Sequence, residues 1–166
     1  MADTLYDNDL VTWAEREAET LRRLAGEGTN LPLDWENLAE EIEGVGASQR
    51  HEVRSLIAKI VVHLLKPACS PARGPQRKWF EETAAFRSQL DRVLAANHSL
   101  RPKLAQIVDE EWRRARREAE ASFRRYDDEA ALAALTSYKE PPFSAEQIVD
   151  FDFYPDFAKA TGDAER

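Results

Sequence analysis

The chain has 166 residues, 33% of them charged, and a formal net charge of −8. That length allows one sizeable hydrophobic core, and with 43% hydrophobic residues there is enough apolar material to fill it. One cysteine, Cys69, excludes an intrachain disulfide and a cysteine-rich zinc site, and no apolar run approaches membrane-spanning length.

Helical signals dominate in chain order, and no stretch shows the sustained alternation of a strand. The first helix is expected to open at Asp7, with Tyr6 and Val11 as a staple, and to run to about Ala25. Leu10, Trp13, Ala14, Glu17, Ala18, Leu21 and Leu24 mark its inner face, and Gly26 and Gly28 stop it. Asn30-Leu31-Pro32 turns the chain into Asp34, whose carboxylate suits a helix start, with Leu33 and Leu38 spaced as a second staple. Trp35, Leu38, Ala39 and Ile42 then form one face expected to be buried. Glu36, Glu40 and Glu43 form a second stripe, and Asn37 and Glu41 a third.

This second helical region spans Trp35 to Lys66, with a kink or short break expected at Gly44-Val45-Gly46. From Val53 to Leu65 it is apolar nearly all round, the pattern of a central helix, and Pro67 and Pro71 end it. A loop over residues 67–75 follows. Trp79, Thr83, Phe86, Leu90 and Val93 mark a third helix, and Asn97-His98-Ser99 its end and the next cap. Leu104, Ile107, Val108, Trp112, Ala115 and Ala119 mark a fourth helix reaching Phe123. A short helix or turn fits residues 129–135. After Pro141-Pro142, Ser144 with Gln147 reads as a capping box and Phe143 with Ile148 as a staple. Phe151, Phe153, Tyr154 and Phe157 suggest a C-terminal strap folded back on the body, and residues 159–166 a loose tail. The expectation is an all-α single domain over residues 1–158, a helical bundle of four principal helices with short flanking helices and an aromatic C-terminal strap.

Charge is unevenly distributed: residues 1–48 carry −9, 49–79 carry +6, 80–98 carry −1, 99–126 carry +3 and 127–166 carry −7. Pairing between basic middle and acidic ends is the ordinary explanation. No leader-like segment opens the chain, so a cytoplasmic protein with no membrane association is expected.

The run Trp35-Glu-Asn-Leu-Ala-Glu-Glu-Ile-Glu43, followed by Val45-Gly46 and His63-Leu64-Leu65-Lys66, resembles the bacterial family catalogued as domain of unknown function family 29. Trp79 in its basic surround, Ser99-Leu100-Arg101-Pro102, Ala115-Arg116-Arg117-Glu118-Ala119, Glu146-Gln147-Ile148-Val149 and Asp152-Phe153 are similar too. The likeness spans residues 5 to 156. It implies an all-α helical bundle, and the family's name records no established activity. His98, where a proline suits the pattern, and Cys69 depart from it.

Three chemistries follow from the residues. Inward carboxylates and a histidine on bundle helices can bind metal, which makes Glu36, Glu40, Glu43 and His63 a candidate polar site for a metal-dependent enzyme. Yet the Glu-x-x-His pattern is absent, and on an unbroken helix Glu40 and His63 lie roughly 35 Å apart. Arg113, Arg116 and Arg117 form a candidate nucleic-acid or ion-pair stripe, with Asp109, Glu110, Glu118 and Glu120 interleaved at pairing distance. Arg92 and His98 carry a spacing seen in some helical ribonucleases, a pattern that chance produces easily. No phosphate-binding glycine loop or other cofactor motif occurs, so no cofactor is expected. With no reaction centre recognisable, the leading expectation is a non-enzymatic interaction or adaptor module that binds a protein partner or forms a homodimer.

Overall fold

The computed structural model describes residues 4–28 and 31–158. Asn30 and the expected tail over residues 159–166 lie outside these. Among the described residues the chain is all α, with α1 (Leu5–Asn8), α2 (Leu10–Gly26), α3 (Trp35–Cys69), α4 (Gln76–Ala95), a 3-10 helix (His98–Lys103), α5 (Leu104–Arg125), α6 (Glu129–Leu135) and α7 (Ala145–Val149). Helices α2 to α5 are the long ones, at 17, 35, 20 and 22 residues. No strand is present among the described residues, only an isolated bridge between Asp9 and Asn97. Contacts group the described residues into two compact units, one drawn from segments 1–53 and 92–103, the other from 54–91 and 104–166.

In the first unit, α2 starts at Leu10 rather than near Asp7. Asp7 is occupied by Thr4, whose backbone N–H and hydroxyl both donate to it. Asp9 caps α2 by accepting from the Thr12 N–H at 3.0 Å, and it also accepts from the Ser99 N–H at 2.7 Å and the Ser99 hydroxyl at 2.9 Å. Burial works to raise the Asp9 pKa, but these bonds from Thr12 and Ser99 overcome it and hold the carboxyl below its usual range. Beside it Asn97, fully buried, accepts from the Val11 N–H and donates to Gln49 Oε1 and the Val93 carbonyl. This polar joint satisfies backbone groups that the start of α2 leaves unpaired. Val11, Ala14 and Ala18 are the buried face of α2, whereas Glu17, expected inward, is exposed.

Helix α3 starts where Asp34 predicts, with the Asn37 N–H donating to its carboxylate at 3.2 Å. It then runs through Gly44 and Gly46 without a break. Gly46 is there for closeness: a Cβ built on it meets Ala14 Cβ at 3.3 Å and the Val11 carbonyl at 3.5 Å, so α2 and α3 approach at this point. Gly44 faces open space. The helix also passes Pro67, whose missing N–H removes one bond from the last turn, and ends at Cys69, with the Ser70 N–H donating to the Lys66 carbonyl.

In the second unit, Leu56, Ile57, Ile60, Val61, Leu64 and Leu65 of α3 are all essentially buried, as the all-round apolar pattern requires. Arg54 joins α3 to α5, placing Nε 2.7 Å from the buried Glu111 and Nη1 2.7 Å from Glu110. Helices α6 and α7 form where expected, α6 capped by Asp128 and α7 by the Ser144–Gln147 box. Phe143 and Ile148 are both buried.

The strap is held by a residue that sequence reasoning passed over. Arg87 is fully buried and donates to three carbonyls, those of Gln147, Ile148 and Phe153, each at 2.9 Å. Its guanidinium lies 5.1 Å from the centre of the Tyr154 ring, and Phe80 meets Tyr154 and Phe157 edge-on. Phe151, part of the expected strap, is exposed instead.

The two glycines of α3 should separate cleanly in a stability measurement. Gly44→Ala, in open space, should stabilise by about 1 kcal/mol through helix propensity. Gly46→Val, crowding Ala14 and the α2 backbone, should destabilise by about 1–3 kcal/mol. Urea unfolding of both variants tests this.

Candidate functional site

Three places contain the candidate polar-site and arginine-stripe residues singled out from the sequence. The first is the N-terminal part of α3. Glu36, Glu40 and Glu43 form an exposed stripe there. Glu43 pairs with Arg22 of α2 at 2.5 Å, and that hydrogen bond and charge keep its carboxyl below the usual range. Glu36 and Glu40 add to the potential that raises Arg22. The apolar face is less covered than its pattern implied. Ala39 is buried and Trp35 and Ile42 half-buried, but Leu38 is 40% and Val45 37% exposed, with Leu31 at 60% and Leu33 at 50% just upstream. Successive residues turn by about 100° around a helix, so the arc occupied by Ala39 and Gly46 leaves Leu38 and Val45 on its flank.

The arginine stripe lies on α5 in the second unit. Arg113 and Arg117 are exposed and Arg116 half-buried, its Nε buried without a hydrogen-bond partner. Their neighbours are neutralised within the helix, Arg114 by Glu118 at 3.0 Å and Arg124 by Glu120 at 2.7 Å. Arg92 and His98 are both exposed in the first unit.

His63 belongs to a different setting from the glutamates first grouped with it. It lies on α3, 23 residues beyond Glu40 and in the second unit, whereas the glutamates lie in the first. Its partner is Glu82 of α4, whose Oε2 stands 2.9 Å from Nε2, while Nδ1 donates to the Lys59 carbonyl at 2.8 Å. The ring meets Phe86 edge-on at 5.2 Å. Lys66 Nζ lies 3.4 Å from Nε2. Burial and the Lys66 charge hold His63 below its ordinary pKa, against the opposing pull of the Lys59 carbonyl and Glu82. Lys66 is likewise lowered, by burial first and then by Lys78, with Glu82 opposing.

These groups open onto a cleft of about 1070 Å³. Helix α3 contributes His63 and Lys66, the 70–75 segment Ser70 and two prolines, α4 Lys78, Trp79 and Glu82, and the end of α5 with the turn after it Phe123, Arg125 and Tyr126. Ser70 donates to Asp128 at 2.5 Å in its lining. Cys69, next in sequence, is buried, and burial with the Asp128 charge pushes its thiol up to about 12. Among the described residues no group of three histidine, cysteine, aspartate or glutamate side chains is placed to hold a metal ion. Glu82 and Lys66 were not foreseen as partners of His63. The available signals were the His63–Lys66 spacing of three and the Lys78–Glu82–Phe86 spacing of four, each ordinary for a helix.

The family model described as Domain of unknown function DUF29 matches residues 5–154. The chain belongs to this family. A crystal structure of an alpha-helical protein of unknown function from Rhodospirillum rubrum ATCC 11170, at 1.45 Å resolution, is similar to this DUF29 chain. The likeness has 29% identity and a TM-score of 0.71, covering 90% of this chain and 92% of that one. No curated protein matches. No helix among the described residues is long and apolar enough to cross a membrane.

Two measurements follow from the DUF29 cleft. A depressed His63 favours the neutral ring in the fold. Its contribution to stability is therefore complete above the ordinary value of 6.5 and is lost as pH falls through the folded value. Unfolding curves between about pH 7.5 and 5 should show this loss, and His63→Gln should flatten it. Cys69 should stay unmodified by a thiol-specific disulfide reagent at neutral pH in the folded protein and react on denaturation.

Proposed function

We propose that this protein is a non-enzymatic interaction module whose docking surface is the flank of α3 at Leu38 and Val45, continued by Leu31 and Leu33. Its occupant is a basic amphipathic helix of a partner protein. The observation that carries the reading is the exposure of these four apolar side chains beside a dense set of carboxylates. Scattered surface leucines need no explanation, but a run of this kind on one helix entry is what a partner's apolar face would cover. Charge selects the partner: residues 1–48 carry −9, and Glu41, three residues from Leu38, borders the flank. A basic helix complements this surface, whereas a second copy of the same surface brings like charges together. The reading carries a bacterial, cytoplasmic setting with it.

Fluorescence anisotropy with a labelled leucine–lysine amphipathic peptide tests the proposal, against a lysine–serine peptide of equal charge. The leucine–lysine peptide should bind saturably and more weakly in high salt. The double variant Leu38→Ser, Val45→Ser should reduce affinity by about tenfold or more, and Glu41→Lys should weaken it further. Because these side chains are exposed, the fold is not at stake. Equal binding of both peptides, or none, sinks the reading. A concentration-dependent dimer in sedimentation, abolished by Leu38→Ser, would replace the partner with a second copy.

A further inference from the structure

We propose that the cleft of the second unit is a binding site for a small organic anion, a flat apolar body carrying one carboxylate, sulfonate or phosphate group. The argument begins with Lys66. It is half-buried, and the atom its ammonium approaches is His63 Nε2 at 3.4 Å. Among the described residues no carboxylate stands within ion-pair distance of it: Glu82 directs one oxygen to within 2.9 Å of His63 Nε2 and the other to 3.8 Å from Lys78, and offsets the Lys66 charge only from further away. A cation partly withdrawn from water without an anion of its own carries a desolvation cost that an incoming anion relieves.

The other carboxylates around the cleft do not meet that need. Asp128 accepts from the Ser70 hydroxyl and the Ala131 N–H, and Glu118 is paired with Arg114. Asp127 is exposed at the rim, where Arg125 offers a further positive charge. The walls set the shape of the guest. Trp79, Tyr126, Phe123, Pro71 and Pro75 give apolar and largely flat surfaces, and a volume of about 1070 Å³ accommodates a molecule of drug-like size. Apolar walls with Lys66 and Arg125 in the same lining select an amphiphilic anion over a bare inorganic one, because only the former covers both.

Isothermal titration calorimetry with 1-naphthalenesulfonate tests this, run beside 1-naphthalenemethanol and sodium sulfate. The sulfonate should bind wild-type protein at one saturable site. Lys66→Met, which keeps the side-chain volume, should weaken it by about tenfold. Leu38→Ser, in the other unit, should leave it unchanged. Protection of Cys69 from thiol modification verifies that each variant retains its fold. Absence of saturable binding, equal affinity for the neutral alcohol, or insensitivity to Lys66→Met overturns the site. Sulfate binding as tightly as the naphthalenesulfonate overturns the ligand class.

Discussion

The second half of α3 presents apolar side chains in every direction, and such a helix gains its stability only by being covered on several sides. Leu56, Ile57, Ile60, Val61, Leu64 and Leu65 are all removed from water. Helix α4 reaches this stretch through Phe86, which lies beside Lys59 and His63. Helix α5 reaches its start through Glu110 and Glu111, bound to Arg54. Once those helices close around α3, every polar group caught among them needs a partner, because an unpaired buried donor or acceptor costs about 1–3 kcal/mol. Arg54 answers Glu111, and Arg87 answers three carbonyls of the C-terminal strap.

Arg87 shows how such a demand becomes architecture. A guanidinium has five donors in a fixed plane and cannot lose its charge at ordinary pH. Buried on α4, it must find acceptors, and the carbonyls of α7 and the following residues supply them. Burial lowers its pKa from the usual value while Tyr154 and Asp150 oppose the change, so the cation persists and keeps the strap attached. The polar joint of the first unit follows the same logic with an amide and a carboxylate: Asn97 and Asp9 meet backbone N–H groups at the head of α2.

Charges sort by burial. Exposed pairs such as Arg77–Glu81 and Arg124–Glu120 lie within single helices, where solvent screens them and each adds little. They explain why the arginine-rich run of α5 is not a uniformly positive stripe. The groups left over after this pairing are more informative. Among the described residues Lys66 makes no ion pair, and Leu38 and Val45 remain exposed, the two features on which the proposed sites rest.

Helix identity was legible wherever the signal is local. The Asp34 cap, the Ser144–Gln147 box, the all-round apolar stretch and the spacing of α5 depend on residues within one or two turns, and periodicity reports them. The start of α2 at Leu10 was not legible, because Asp9 is chosen over Asp7 by Ser99, 90 residues away. Nor was the continuity of α3 through its glycines. Gly46 weakens a helix in isolation, and only the approach of Ala14 and Val11 gives it a purpose. The partner of His63 was hidden for the same reason: Glu82 looks like any exposed helical glutamate until α4 packs beside α3. The sequence alone thus determined helix types, caps and core faces, since these follow from short-range hydrogen bonding and burial. Tertiary structure decided which polar groups meet and which apolar side chains stay uncovered, since those depend on distances between helices that no local pattern encodes.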